Sequence, residues 1–271
     1  MRSNLWSWLA ASVALLGGAA CTDGGTNVGL AFSTRSSTAG ALAQAGDSTV
    51  VARGDDTLII KGVDLVLREI ELERVEDIMG CPDSSGDDDD ACEEFSVGVR
   101  LVSLPLGNQT DKLITVDVAE GIYDEVEFEI HKPDEVRDAA FIAANPAFAA
   151  VSIRVTGTLS RGGTRSDFVF TTDLNAEQEV ELDPPLDVTA AGPVNLTIRI
   201  DVGSWFLSAG GGSLVDPASA NKGGPNEGLV KDNIERSIDA FHDDDSDGLD
   251  DEGEDDDGGS DHDGSNSGPG L

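Results

Sequence analysis

Carboxylates dominate the side chains that could carry chemistry: the 271-residue chain holds 53 Asp and Glu against 17 Lys and Arg. Near the C-terminus Asp243, Asp245, Asp247, Gly248, Asp251 and Glu254 fall at the spacing D-x-D-x-D-G-x5-E. That spacing suits calcium, which gathers hard oxygen ligands: the glycine permits a sharp turn, the Leu249 carbonyl adds a neutral donor, and the final glutamate binds through both oxygens. The expected ligands are Asp243, Asp245, Asp247, Leu249, Asp251 and Glu254, with an affinity on the order of 10⁻⁴ to 10⁻³ M. A solvated acidic tail is the alternative, because any Asp-dense run meets this spacing more often than mixed sequence does.

Other chemistry is thinly supplied. His131, His242 and His262 are the only histidines, and the sequence contains no HExxH, no GxSxG and no phosphate-cradling glycine loop with its lysine. No catalytic residue is assigned, and the chain reads as non-enzymatic. A carboxylate-dependent hydrolase remains a distant alternative, since it needs only two carboxyls about 5 to 9 Å apart. Against it, Glu125, Glu127 and Glu129 alternate with Val126, Phe128 and Ile130, which places the three glutamates on a solvent face. Tyr123 and Trp205 could stack on sugar in a carbohydrate-binding or adhesion module, although with aromatics at 5% they are expected in the core.

The formal net charge of -36 repels phosphate backbones and anionic lipid surfaces, so nucleic acid is excluded as a partner and any membrane association is expected through a lipid anchor only. An envelope protein or a surface glycan remains a possible partner.

The N-terminus carries an export signal over residues 1–20: Arg2 starts it, Leu9 to Leu16 is apolar but too short for a comfortable span, and small residues precede Cys21. Cleavage before Cys21 is expected. The small residues before Cys21 resemble the bacterial lipobox, with Gly18 where that pattern usually has Leu; the resemblance implies lipidation of Cys21 and, with Thr22 following, the outer membrane. The alternative is a freely secreted or periplasmic protein. In such an oxidising compartment Cys81 and Cys92 are expected to close a short acidic loop as a disulfide.

The elements that must position these groups read as strands. Residues 21–48, rich in Ser, Thr, Gly and Ala, are expected to form a flexible tether. A sandwich domain is expected over 49–206, where Leu58, Ile59 and Ile60, then Val63, Leu65, Leu67, Ile70 and Leu72 recur largely at spacing two as one or two strands. Val116 and Val118 lead through Gly121 to Tyr123 as a hairpin-like unit, Gly162 and Gly163 mark a second turn, and a strand ending at Pro184-Pro185 is expected. Asp134 to Phe148 is Ala-rich and suits a short helix. Over 207–241 a loop leads into an amphipathic helix, with Val230, Ile234, Ile238 and Phe241 on one face. Residues 242–271 form an acidic low-complexity tail in which no core can form. The fold class is therefore all-β: an antiparallel β-sandwich with one C-terminal helix and a disordered acidic end.

The run Val116-Asp117-Val118-Ala119-Glu120-Gly121-Ile122-Tyr123, followed by Val126 and Phe128, resembles the uncharacterised bacterial lipoprotein family catalogued as domain of unknown function 4382. That resemblance implies an exported β-sandwich without an established activity. The acidic segment from Asp243 to Glu254 is similar to the calcium loop of EF-hands, with Asp250 at a usually apolar position and no helix expected after Glu254. It is also similar to the shorter loops of thrombospondin type 3 and dockerin repeats, which lack that helix.

Overall fold

Oily residues between 58 and 72 change parity twice: Leu58 and Ile60, then Val63, Leu65 and Leu67, then Ile70 and Leu72 are all buried. Successive side chains of a strand point to opposite faces, so each change of parity requires an extra residue in the ladder. In the computed structural model, which describes residues 26–34, 47–75, 98–107, 110–118, 120–189 and 194–243, this segment is one strand, β3 (Asp56–Arg74). Its register shifts between Ile60 and Gly62 and again between Leu67 and Glu69. Two irregularities thus keep one face of a 19-residue strand turned to the core.

β3 is the spine of the larger sheet. β2 (Thr49–Arg53) and β4 (Arg100–Ser103) line one edge, while β6 (Gly121–Ile130) and β7 (Ile153–Arg161) lie end to end along the other. The placement follows from double pairings: Leu65 faces both Val102 and Ile153, and Leu67 faces both Arg100 and Ile130. β8 (Thr164–Thr172) joins β7 across Gly162 and Gly163, whose φ values of 56° and 79° are the left-handed pair that a two-residue hairpin needs. β9 (Ala176–Val188) pairs with β6 at the far side.

The second sheet holds β5 (Thr110–Val118), β1 (Thr26–Ser33), β10 (Val194–Ile200) and β11 (Ile238–His242), in the order β11-β10-β1-β5. β1 runs antiparallel to β5 and parallel to β10. One continuous apolar core includes residues of both sheets, with Trp205, Tyr123, Phe32, Phe128, Phe170 and Phe206 among its largest fully buried side chains. Each such side chain contributes roughly 1.5–3 kcal/mol by leaving water. Phe206 meets Phe170 and Phe168 edge-on at 5.2 and 6.0 Å. Among the described residues two short α-helices accompany the strands, α1 (Ala139–Ala144) and α2 (Glu227–Glu235). The all-β sandwich expected from the pattern is the architecture observed.

Four local expectations are corrected. The segment read as a tether contains β1, because Val28, Leu30 and Phe32 alternate with small residues and fill the middle of a sheet. The unit around Gly121 is no hairpin: β5 pairs with β1 and β6 with β3 and β9, so the chain changes sheets there. β9 does not stop at Pro184-Pro185 but shifts register and resumes pairing at Leu186, which an outer strand tolerates because a missing N–H there interrupts no inner ladder. The helix expected to reach Phe241 ends at Glu235, and Ile238–His242 becomes β11. Ile238 and Phe241 stand three apart, a helical step that falls on opposite faces of a strand, but pairing with β10 satisfies more backbone groups than a free helical turn would.

Candidate functional site

Three strands of the larger sheet place glutamates in register. On β3, β6 and β9 respectively, Glu69, Glu129 and Glu177 form one row, Glu71, Glu127 and Glu179 a second, and Glu73, Glu125 and Glu181 a third. Intervening residues Ile70, Leu72, Val126 and Phe128 face the core, so alternation sends all three rows to the outer face. The solvent-face reading of Glu125, Glu127 and Glu129 is thus extended by β3 and β9 on both sides. Each alternation is visible in the sequence; the register that aligns them is not.

Like charges directly opposite on neighbouring strands are destabilising, and here every row is alike. Glu127 lies in the middle row on the middle strand. Partial burial, then the hydrogen bond and charge of Glu177, then the charges of Glu71 and Glu73 push its carboxyl up to about 7. Burial and the neighbouring charges of Glu73, Glu179, Asp124 and Glu181 also push Glu125 up. A shallow recess of about 250 Å³ over the face is lined by Glu69, Glu71, Glu127, Glu129 and Glu177 together with Arg68.

Two guanidinium groups flank the rows. At the β3 irregularity Arg68 approaches Glu129 at 3.4 Å. At the opposite end Arg74 lies 5.5 Å from the centre of the Tyr123 ring and donates to the Glu120 carbonyl at 3.1 Å. Parallel side chains on a pleated sheet spread their carboxylates over a surface rather than converging them, whereas a chelated calcium needs several oxygens at 2.3–2.6 Å, roughly. Among the described residues no three acidic, histidine or cysteine side chains converge as a metal site.

Of the calcium ligands expected from the sequence, Asp243 alone lies within the described residues. It is buried at the end of β11, where its carboxylate accepts the Thr197 hydroxyl at 2.6 Å. Asp245, Asp247, Leu249, Asp251 and Glu254 lie outside the described residues, as do Cys21, Cys81, Cys92 and residues 1–20, where an export signal is expected. The aromatic residues considered for sugar stacking, Tyr123 and Trp205, are both fully buried, and the Trp205 indole donates to Ser237 at 2.8 Å. His131 sits at the strand end, hydrogen-bonded to the Lys132 carbonyl.

No family model matches the chain, and no curated protein does. Among solved structures, MbnP from Methylosinus trichosporium is similar at 13% identity over 67% of this chain and 76% of that one, with a TM-score of 0.34.

Proposed function

We propose that this is an exported, non-enzymatic envelope protein whose sandwich presents an acidic face to a cationic segment of a partner protein. The observation that carries the reading is the three-by-three register of glutamates. Such an arrangement is unfavourable in isolation and is relieved by opposite charge brought from outside. A basic polypeptide fits it better than a chelated ion, since extended lysines and arginines can follow glutamates that stand about 4.8 Å apart along each row, as neighbouring strands do. Electrostatic complementarity of this kind favours fast, salt-sensitive association.

The test is binding of a fluorescent octalysine to the full chain and to the middle-row variant Glu71→Gln/Glu127→Gln/Glu179→Gln. A several-fold weaker affinity of the variant at low salt supports the reading; equal affinity removes the glutamate face from it.

Export and anchoring rest on the N-terminal segment and on Cys21, in the envelope of a bacterium. Incorporation of labelled palmitate by the wild type and its loss in Cys21→Ser is the expected result; an unlabelled wild type makes the protein a soluble exported one. The acidic run after β11 supplies a second, separate cation-binding element in this proposal, with calcium as its ion. Since Asp243 is buried and engaged by Thr197, it anchors the start of the run to the smaller sheet. Calorimetric titration with calcium is expected to give heat with the full chain and less heat with Asp245→Ala/Asp247→Ala. Equal heats would end the calcium proposal.

A further inference from the structure

Ile130 and Ile153 face Leu67 and Leu65 along one edge of β3, so the chain between β6 and β7 leaves the sheet and returns almost to where it left. Val66 marks the spot: its carbonyl accepts from His131 N–H at 3.2 Å and its N–H donates to the Ser152 carbonyl at 2.8 Å. A tight turn does not join two collinear strands, yet a short bridge would; the excursion over 131–152 is longer and oilier than that. It contains α1, of sequence Ala-Ala-Phe-Ile-Ala-Ala, none of whose residues is buried. Just before it Val136 is 88% exposed. Burial of Pro133 and Phe148 ties the excursion down.

Its shape is fixed rather than loose. The Asp134 carboxylate accepts the N–H groups of Val136 and Arg137 at 2.9 and 2.8 Å, and Asp138 accepts that of Asp134 at 2.7 Å. Beside α1 lies a recess of about 530 Å³, lined by the apolar side chains of Phe141, Val99, Leu101 and Ile114 and by the polar Asn145, Ser103 and Arg100. Leu101 is 36% exposed. Leu101 pairs with Val66, three residues before Glu69 on β3, so the recess and the acidic face lie along the same strand, with Arg68 and Arg100 near their border.

We infer that this recess is the apolar anchor point of the same docking face, and that its occupant is an amphipathic basic segment of a partner protein, an aliphatic or aromatic side chain seating between Phe141 and Leu101. The inference rests on the glutamate face being the partner's charge contact. Charge complementarity selects this occupant. A second copy would bring another net charge of -36, and an anionic lipid surface is repelled by the same field.

The experiment compares two labelled peptides of equal charge, octalysine and a peptide in which leucines are interspersed among eight lysines. Proteins are the full chain, Leu101→Ser/Val136→Ser and the middle-row glutamine variant, each first shown to melt cooperatively. The wild type is expected to bind the leucine peptide about tenfold more tightly, as seating one side chain allows. Leu101→Ser/Val136→Ser loses that margin and keeps its octalysine affinity. No margin in the wild type, or an undiminished margin in the variant, overturns the apolar anchor while leaving the charge contact standing. If neither peptide binds, or if the glutamine variant binds octalysine as the wild type does, the charge contact falls and the inference with it.

Discussion

Glu127 hydrogen-bonds Glu177, its diagonal neighbour across the ladder of β6 and β9, and the pair sits among further carboxylates of β3. Raised to about 7 from an ordinary 4.5, the Glu127 carboxyl holds a proton in the folded state that the unfolded chain releases. The stability this adds is fully present below about pH 4.5 and is lost as pH rises through about 7. Melting temperature is therefore expected to fall between about pH 5 and pH 8 in low salt. Glu127→Gln flattens that slope and stabilises the protein at about pH 8 by roughly 0.5–1 kcal/mol. A variant with the wild-type slope would show that the rows are too well screened by solvent to matter.

The opposite sign belongs to Asp173, which Lys222 and Lys231 hold down to about 2, the hydrogen bond from Lys222 contributing most. Lys231 lies 3.1 Å from Asp173 and 2.9 Å from Glu227, so it ties the end of β8 to α2. Stability from Asp173 is present above about pH 4 and lost as pH falls toward 2. Asp173→Asn should cost about 1 kcal/mol at neutral pH, read from urea midpoints, with the difference disappearing in strong acid. An unchanged midpoint would make the pair a surface contact without consequence.

Gly157 has no room for a side chain. A Cβ there would lie 2.1 Å from the Ile59 carbonyl oxygen and 2.8 Å from the ring of Phe168, its partner in the β7–β8 ladder. Gly157→Ala is expected to destabilise by about 1–3 kcal/mol, since the clash is with backbone and a packed ring rather than a flexible tip. Gly162→Ala meets nothing nearby but must take a φ of 56°, and is expected to cost about 1 kcal/mol. A smaller loss at 157 than at 162 in parallel chemical denaturation would contradict this assignment.

Thr197 gives the buried Asp243 carboxylate a hydrogen bond between adjacent strands of the smaller sheet. Thr197→Val keeps the shape and removes the donor, so a loss of about 1–3 kcal/mol is expected. Protection of the Asp239 to Asp243 amides against hydrogen exchange should fall first, since β11 is an outer strand.

Period-two placement of Val, Ile and Leu was enough to specify strands, and the excess of carboxylates over cations was enough to specify an acidic surface. Glu125, Glu127 and Glu129 could be assigned to a solvent face because the residues between them are large and apolar. The same reasoning applied to Val28, Leu30 and Phe32 finds β1, a signal that the surrounding Ser, Thr and Gly composition obscures. Ile238 to Phe241 reads as helix, because a step of three keeps both residues on one helical face and splits them across a strand, and only pairing with the edge of β10 overrides that spacing.

Local sequence thus set which residues hide from water, through side-chain polarity and the two-fold repeat of an extended chain. Tertiary structure alone decided which strand lies beside which, because pairing partners such as Glu71, Glu127 and Glu179 are far apart in sequence and nothing local encodes their alignment. That alignment turns three ordinary solvent faces into one crowded acidic surface, and the collinearity of β6 and β7 along β3 sets the excursion over 131–152, with its exposed Val136, at its border.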